Sequence, residues 1–400
     1  MGTFKIHNRE DFEVFTRSQE DCLELLKMMR WGDNKPFCPK CGSTSYRYKK
    51  TRDIYVCLNK NRKACNEKTH YEYRVTTGTI FENSNIPLPQ WFTIILDFCG
   101  RRNAHQIMKD RELNYRTIWL AMKKLCNALS PLNERKLTGV VQMDEVFVSP
   151  KKQDDLRLGW RISQYNKEMK KLEEEAKLRG EKFKKIPFGH EKVFNVAIDD
   201  NGVIIVKVLG SSKNAITKAN LLKFIKQYIE DGSRINIDEH PVHKSLPAEE
   251  LNIKYVEHNI KKEVLDDNGN VILNNKGKPK IKYIKNFISE EGIHTNAGEN
   301  VNGLLKEFFR QYRGVSWKYL NLFINEFVFH RQTCYMTQME KVKTLFKMME
   351  QNITLPELMA RESEFGRDIT IERKTNTKSH SRKKKVHSVE FFDLFGRMQN

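Results

Sequence analysis

One apolar stretch near the middle of the chain, GVVQMDEVFVS from Gly139 to Ser149, contains an acidic pair where a buried strand would carry only apolar residues. Its β-branched, aromatic and other apolar side chains are typical of a strand that is packed on both faces. A carboxylate inside such a strand is costly unless a positive or hydrogen-bonding group meets it. Asp144 and Glu145 therefore mark a candidate site, with a metal ion as the expected counter-charge.

The segments that follow predict a mixed sheet covered by helices. KVFNVAIDDNGVIIVKVLG predicts a hairpin that turns at Asp200, Asn201 and Gly202. A helix is then predicted in NAITKANLLKFIKQYIEDG, strands in RINIDEH and IKYVEH, and a final helix in GIHTNAGENVNGLLKEFFRQYRG. This order of elements matches a ribonuclease H-like mixed α/β core.

Three carboxylates of this predicted fold can converge. Asp144 lies in the first strand, Asp238 ends the strand RINIDEH, and Glu299 lies near the start of the last helix. Carboxylate oxygens suit Mg²⁺, and two such ions can neutralise the attacking and leaving oxygens of a phosphoryl transfer. Glu145 and Glu239 follow their aspartates by one residue and so point to the opposite strand face. Each aspartate alone could be a turn or cap residue, but together they predict a metal site.

A cluster of cysteines near the N-terminus predicts a structural zinc site. Cys38 and Cys41 lie in CPKCG, a tight knuckle that can chelate one ion, and Cys57 and Cys65 can complete a tetrahedral zinc ribbon. The second pair is more widely spaced than is usual, so His70 is an alternative to one of these cysteines. Disulfide pairing is the other alternative, and the lack of a secretion signal disfavours it.

Helical patterns surround this cluster. A helix is predicted from Asp11 to Trp31, and the segment from Pro89 to Leu129 is helical with a short break at Leu113 and Asn114. Two amphipathic helices with so short a turn predict either an ordinary helix pair or a DNA-reading helix-turn-helix. In the second case five residues lie on or near the recognition helix: Asn114, Tyr115, Arg116, Thr117 and Lys123.

Composition favours a polyanionic partner. Lys and Arg number 71 against 51 Asp and Glu, which gives a formal charge of +20, and such a charge suits a polyanionic partner such as nucleic acid or an anionic membrane face. A merely soluble basic protein is the plainer alternative. Because no long apolar run and no apolar signal-peptide core occur, we expect a soluble, intracellular protein.

These patterns divide the chain into five predicted segments. They are an N-terminal helix (1–35), a zinc ribbon (36–85), a helical DNA-binding region (86–135), a ribonuclease H-like catalytic domain (136–335) and a basic tail (336–400). The catalytic domain carries insertions near 160–190 and 260–286, which are either solvated surface elements or contacts to DNA or a partner. Lys383 and Lys384 lie in a basic, Ser/Thr-rich run of the tail that could contact DNA or act as a nuclear-targeting signal.

Several of these motifs together resemble the Merlin-related, ISXO-like DDE transposases of bacterial insertion sequences. The resemblance rests on CPKCG, VTTGTIFENSNIPLPQW, VQMDEVFV, INIDEH, YVEHN and IHTNAGENVNGLLKEFFRQYRGVSWKYLNLFINEFVFHRQ, and it runs from about Cys38 to about Arg331. It implies an N-terminal zinc ribbon and a helical DNA-binding region ahead of a ribonuclease H-like catalytic domain.

The resemblance also implies roles for individual residues. Asp144, Asp238 and Glu299 match the catalytic set, while Asn296 matches an asparagine that some relatives use as the third residue. Glu299 is favoured over Asn296, without excluding a shared role. Two histidines match family positions and imply a supporting or DNA-phosphate role, with capping or core packing as the alternative: His258 and His294.

The implied function is a DNA transposase that binds terminal inverted repeats. It would use Mg²⁺ or Mn²⁺ to cleave DNA and to join the freed 3′-hydroxyl to target DNA, and work on two ends implies at least a homodimer on double-stranded DNA. We expect it in the bacterial cytoplasm, at the nucleoid. Two alternatives stay open, namely a transposase-derived DNA-binding regulator and a ribonuclease H-like nuclease without strand transfer.

Overall fold

The computed structural model describes the chain from residue 6 to residue 349 with gaps. The described residues are 6, 8–32, 35–59, 65, 70–148, 156–180, 183, 192–211, 215–256, 259–265, 271–274, 277–285, 288–289, 292–312, 315 and 319–349. Three residues with predicted roles lie outside them: His258, Lys383 and Lys384.

Two short helices open the described chain, α1 (Arg9–Phe15) and α2 (Gln19–Trp31). We predicted a single helix here, and that prediction is wrong because local hydrogen bonds end the first helix. The Thr16 hydroxyl donates to the Phe12 carbonyl at 2.8 Å, and the Ser18 hydroxyl accepts the Asp21 N–H at 3.0 Å. A serine in this position caps the second helix and turns the chain into it.

A small antiparallel sheet follows, built from β1 (Tyr46–Lys49), β2 (Ile54–Cys57) and β3 (Glu72–Tyr73) with β2 in the centre. Its aromatic side chains stack on one another, and the rings of Tyr55 and Tyr73 have their centroids 5.5 Å apart. Packing of this kind supplies part of the core that so short a sheet cannot build from strand length alone.

Three helices then form the region that we predicted to be helical: α3 (Leu88–Cys99), α4 (Ala104–Arg111) and α5 (Tyr115–Ala128). The Asn103 side chain begins α4 through a capping box with Gln106. The Asn114 side chain begins α5 by accepting the Arg116 N–H at 2.9 Å. The predicted break at Leu113 and Asn114 is therefore confirmed, and the Asn114 cap defines the start of the helix that follows it.

A five-stranded sheet forms the second half of the fold. Its strands are β4 (Val140–Val148), β5 (Lys192–Asp199), β6 (Ile204–Ser211), β7 (Arg234–Asp238) and β8 (Ile253–Val256). The order is β6-β5-β4-β7-β8, with β4, β7 and β8 parallel and the β5–β6 hairpin antiparallel. This arrangement confirms the ribonuclease H-like core, with the acidic strand β4 at its centre.

Helices cover both faces of the sheet, and one further helix, α6 (Leu156–Leu178), lies largely in the first predicted insertion. After α6 come α7 (Lys218–Tyr228), α8 (Pro241–Lys244), α9 (Asn296–Gln311), α10 (Leu320–Gln332) and α11 (Gln338–Met348). A hairpin of β9 (Asn259–Glu263) and β10 (Ile281–Lys285) lies in the second predicted insertion. Helix α11 corrects our view of residues 336–400 as a tail, because its apolar side chains pack into the core.

The apolar residues form one core on each face of the large sheet. Even-numbered residues of β4 such as Val146 join the core that also contains α3, α5, α9 and α10. Odd-numbered residues such as Met143 join the core under α7. None of the helices in the described ranges combines the length and apolarity that a bilayer span requires.

Side chains cover the outer edge of this sheet at β6. The Asn133 amide donates to the Val206 carbonyl at 2.9 Å and accepts the Val206 N–H at 2.9 Å. The Gln332 amide donates to the Ile204 carbonyl at 3.1 Å. Backbone groups that an edge strand would leave unpaired are thus satisfied within the same chain.

Candidate active site and zinc centre

The cysteine cluster has the dimensions of a zinc site. The Sγ atoms of Cys38 and Cys65 are 3.7 Å apart, those of Cys41 and Cys57 are 3.7 Å apart, and those of Cys57 and Cys65 are 3.5 Å apart. Zinc–sulfur bonds of about 2.3 Å in a tetrahedron require sulfur–sulfur distances of roughly 3.8 Å. The thiols therefore fit one zinc ion and leave no role for a disulfide. His70 is exposed and lies outside this four-cysteine group, so the spacing of Cys65 is accommodated without it.

The two predicted catalytic aspartates lie on neighbouring parallel strands. Gln142 of β4 pairs with Asn236 of β7, and Asp144 and Asp238 each follow two residues later. Side chains two residues apart point to the same face of a strand. The register therefore brings both carboxylates to one face of the sheet, near the carboxyl end of β7.

Helix α9 crosses this same face and brings Glu299 to it. The Gln142 side chain accepts the N–H groups of Ala297 and Gly298 at 2.9 and 3.4 Å, so a residue of β4 caps the helix. A Cβ atom on Gly298 would lie 3.9 Å from the Asp144 Cβ, which shows how closely the helix approaches the strand. These contacts fix the first turn of α9, and with it Glu299, beside Asp144.

Asp144 is held at both of its oxygens. Oδ1 accepts the backbone N–H of Glu145 at 2.8 Å, and Oδ2 accepts the Asn302 amide of α9 at 2.7 Å. Burial, followed by the charges of Glu145, Asp238 and Glu299, raises the pKa of Asp144 to about 7. The negative charges of these acids therefore repel one another, and a cation bound among them would offset that repulsion.

A histidine that we did not predict joins two of these acids. His243 of α8 is fully buried, with Nδ1 at 2.5 Å from Asp238 Oδ1 and Nε2 at 3.1 Å from Glu145 Oε1. Since a carboxylate only accepts, the ring donates a proton to each partner. Burial opposes a charged ring, but the hydrogen bonds to Asp238 and Glu145 raise the pKa of His243 to about 10. Burial also opposes ionisation of Asp238, yet His243 beside it lowers the pKa of that carboxyl.

The oxygen donors of this site suit Mg²⁺ or Mn²⁺, which are hard cations. Asp144, Asp238 and Glu299 approach one another, but their oxygens do not meet at one point. Across the described ranges, the four cysteines are the only group of three or more metal-ligand side chains whose ligand atoms lie within 4.8 Å of one another. The acids therefore suit a hard cation in their chemistry, and their carboxylate oxygens would have to move closer together to hold one.

Two other residues with predicted roles lie at the start of α9. Asn296 is exposed in the first position of the helix, and His294 is half-buried just before it. The His294 carbonyl accepts the Asn236 amide at 3.2 Å, which ties this segment to β7. Both residues are thus close to Glu299 in the chain, and their chemical roles stay predictions.

The predicted recognition residues separate into an exposed group and a buried one. Asn114 and Arg116 are exposed, while Tyr115 is half-buried and stacks on the exposed His105 with ring centroids 4.6 Å apart. Thr117 is also half-buried. Lys123 is only 2% exposed and lies 3.5 Å from Glu326 of α10. This placement corrects our expectation for Lys123, because a buried, paired ammonium cannot reach a DNA phosphate.

Fold and site together define a protein with a zinc ribbon, a helical region and a ribonuclease H-like domain that bears clustered acids. Comparison with known families agrees with this class. Residues 136–332 match the ISXO2-like transposase domain, and residues 17–74 match the transposase zinc-ribbon domain. The chain thus contains a transposase zinc-ribbon domain followed by an ISXO2-like transposase domain, and the two matches together span more than half of its length.

A curated relative comes from an insertion-sequence element. The chain is 27% identical over 135 residues to a protein described as an uncharacterized protein in transposable element ISH50 of Halobacterium salinarum. This similarity covers 33% of the present chain and 42% of the relative. The chain thus spans less than half the length of that relative.

Proposed function

We propose that this protein is a DNA transposase that cleaves and joins DNA at the acidic site between β4, β7 and α9. The observation that carries the proposal is the position of Asp144 and Asp238 on neighbouring parallel strands beside the first turn of α9, which carries Glu299. Burial and the charges of Glu145, Asp238 and Glu299 accordingly raise the pKa of Asp144 to about 7. His243 offsets the charges of Asp238 and Glu145, but the oxygens of Asp144 accept from neutral groups, the Glu145 N–H and the Asn302 amide. Here the cluster keeps a negative field that suits a divalent cation.

In this proposal Asp144, Asp238 and Glu299 hold the ion. Magnesium or manganese, when bound, supplies the positive charge that offsets negative charge developing on the phosphodiester oxygens. The Asn302 amide orients Asp144, and the Gln142 cap keeps Glu299 near it. A rigid arrangement of this kind lowers the reorganisation that the reaction would otherwise require.

In this proposal, surfaces away from the catalytic acids bind and recognise the DNA. We assign terminal-repeat binding to the zinc ribbon and to the start of α5, where Arg116 is exposed and the Asn114 side chain is used to cap the helix. Charge neutralisation of DNA phosphates releases counterions, so binding should weaken steeply as salt rises. Two DNA ends must be handled, and we propose a homodimer on the DNA.

The test uses purified full-length protein, Mg²⁺ and labelled DNA that carries the terminal repeats of the element. Wild type should give nicked and joined products, whereas Asp144→Asn should bind the same DNA and give neither. Wild-type cleavage by Asp144→Asn would refute the assignment of this site. Nicks without joined products would indicate a nuclease, and binding without any product from wild type would indicate a DNA-binding regulator.

A further inference from the structure

Glu145 poses a separate question, because it lies on the opposite face of β4 from Asp144 and its side chain is nevertheless only 6% exposed. On that face its neighbours along the strand, Met143 and Phe147, pack into the core under α7. An acid in such a position needs a partner to offset its burial. That partner is His243, whose own side chain is 0% exposed.

The position of His243 follows from the way the chain leaves β7. Strand β7 ends at Asp238, the His240 imidazole accepts the Val242 N–H at 3.4 Å, and Pro241 begins the short helix α8. The backbone thus turns at once and returns His243 to the end of the strand that it has just left. There Nδ1 meets Asp238 Oδ1 at 2.5 Å and the Asp238 carbonyl at 3.1 Å.

We infer that His243 is a positioning residue that links Glu145 of β4 to Asp238 of β7 and so orients the Asp238 carboxylate for the metal ion. Glu145 serves as the anchor of the ring and is not itself a metal ligand. Because Oδ1 of Asp238 accepts from His240 and His243, Oδ2 is the oxygen that would hold the ion. This inference rests on the proposed function of the acidic site.

The contacts on either side of the ring make the link rigid. The Tyr255 hydroxyl of β8 donates to the His243 carbonyl at 3.1 Å, and the backbone N–H of His240 donates to Asp238 Oδ1 at 3.2 Å. A ring held at both nitrogens and at its backbone has one orientation. Outer partners of this kind typically change metal affinity by about 10- to 100-fold when they are removed.

The experiment measures Mn²⁺ binding to the zinc-loaded full chain by titration calorimetry, without DNA. His243→Gln keeps one donor, and His243→Phe keeps the ring volume with none. We expect a Kd increase of about tenfold for His243→Gln and up to about 100-fold for His243→Phe. DNA cleavage by the two variants should be closer to the wild-type rate at saturating Mn²⁺ than at low Mn²⁺. A mere loss of stability would not produce this dependence on Mn²⁺ concentration.

Variants at two glutamates provide matched comparisons, since each of these glutamates follows a catalytic aspartate by one residue. Glu145→Gln keeps an oxygen that accepts the Nε2 proton and should change the Mn²⁺ Kd by less than about threefold, whereas Glu145→Leu should match His243→Phe. Glu239→Gln is the control, because Glu239 forms a solvent-accessible ion pair with Lys244 at 3.1 Å. It should leave the Mn²⁺ affinity unchanged.

Asp238→Asn separates failure of this inference from failure of the proposed function. If Asp238→Asn weakens Mn²⁺ binding while folded His243→Gln and Glu145→Leu bind as wild type does, the positioning role is refuted and the acidic site survives. A loss in Glu145→Gln as large as that in Asp238→Asn would make Glu145 a ligand and also refute it. If wild type does not bind Mn²⁺, or Asp238→Asn binds it equally well, both proposals fail.

Discussion

The buried pair of Lys123 and Glu326 provides the sharpest test of the fold, because sequence reasoning assigned Lys123 to DNA. The two side chains are 3% and 4% exposed, and Nζ lies 3.5 Å from the Glu326 Oε2. The same ammonium lies 3.3 Å from the centroid of the Phe323 ring. Tyr312 donates its hydroxyl to the other oxygen of Glu326. Lys123 therefore joins α5 to α10.

Lys123→Met removes the charge and keeps most of the side-chain length. Glu326 would then remain buried with only neutral partners, and an unpaired buried charge costs about 3–5 kcal/mol. We expect the free energy of unfolding to fall by that amount. The double variant Lys123→Met, Glu326→Gln leaves no charge at this position and should recover most of the loss, with a coupling energy of about 2 kcal/mol or more.

Urea denaturation of the zinc-loaded protein measures these differences, with DNA binding measured in parallel. Arg116→Gln is the comparison within the same helix, since the exposed Arg116 should change stability by less than about 0.5 kcal/mol and weaken DNA binding. The reasoning is refuted if Lys123→Met unfolds as wild type does and instead lowers DNA affinity with a shallower salt dependence. That result would indicate that Lys123 contacts DNA, as we predicted from the sequence.

Two further predictions concern zinc and acid. Cys65→Ser should lose the zinc that wild type retains, and its ribbon should unfold because so small a sheet depends on its metal. His70→Asn should keep both the zinc and the folded ribbon. Zinc content after dialysis and circular dichroism distinguish the two variants. Burial, with Arg101 and Lys341 nearby, lowers the pKa of His330 to about 3, so the unfolded chain gains a proton below pH 6.5 that the folded chain does not accept. This residue should therefore lower the free energy of unfolding by about 2 kcal/mol between pH 7 and pH 5. In His330→Leu that part of the loss should disappear. If urea denaturation shows the same pH dependence for His330→Leu as for wild type, this explanation is wrong.

The order of the strands along the chain and the helix break at Leu113 and Asn114 could be predicted because their signals are local. The alternation of the acidic strand, the Asp200–Gly202 turn and the Asn114 cap all lie within a few residues of the feature that they determine. The clustering of Asp144, Asp238 and Glu299 followed from placing those elements in one known order. Local chemistry also explains the error at Thr16–Ser18, where two hydroxyl bonds outweigh a continuous apolar pattern.

Partners that are distant in the chain could not be predicted in this way. Lys123 is paired with a residue about two hundred positions later, and its sequence neighbours give no sign that its side chain is buried. His243 lies close to Asp238 in the chain, but its bond to Glu145 exists only because β4 and β7 are neighbours. Both cases depend on tertiary packing, which decides whether a polar residue is a surface group or a structural one.

The covered edge of β6 limits how two copies of this protein can meet. Asn133 and Gln332 already occupy the outward backbone groups of Val206 and Ile204. A second copy could not extend the sheet at these positions without first breaking those bonds. Strand addition is therefore blocked at these two residues of β6, and in the DNA-joining dimer that we propose a contact along this part of the edge would have to be made by side chains.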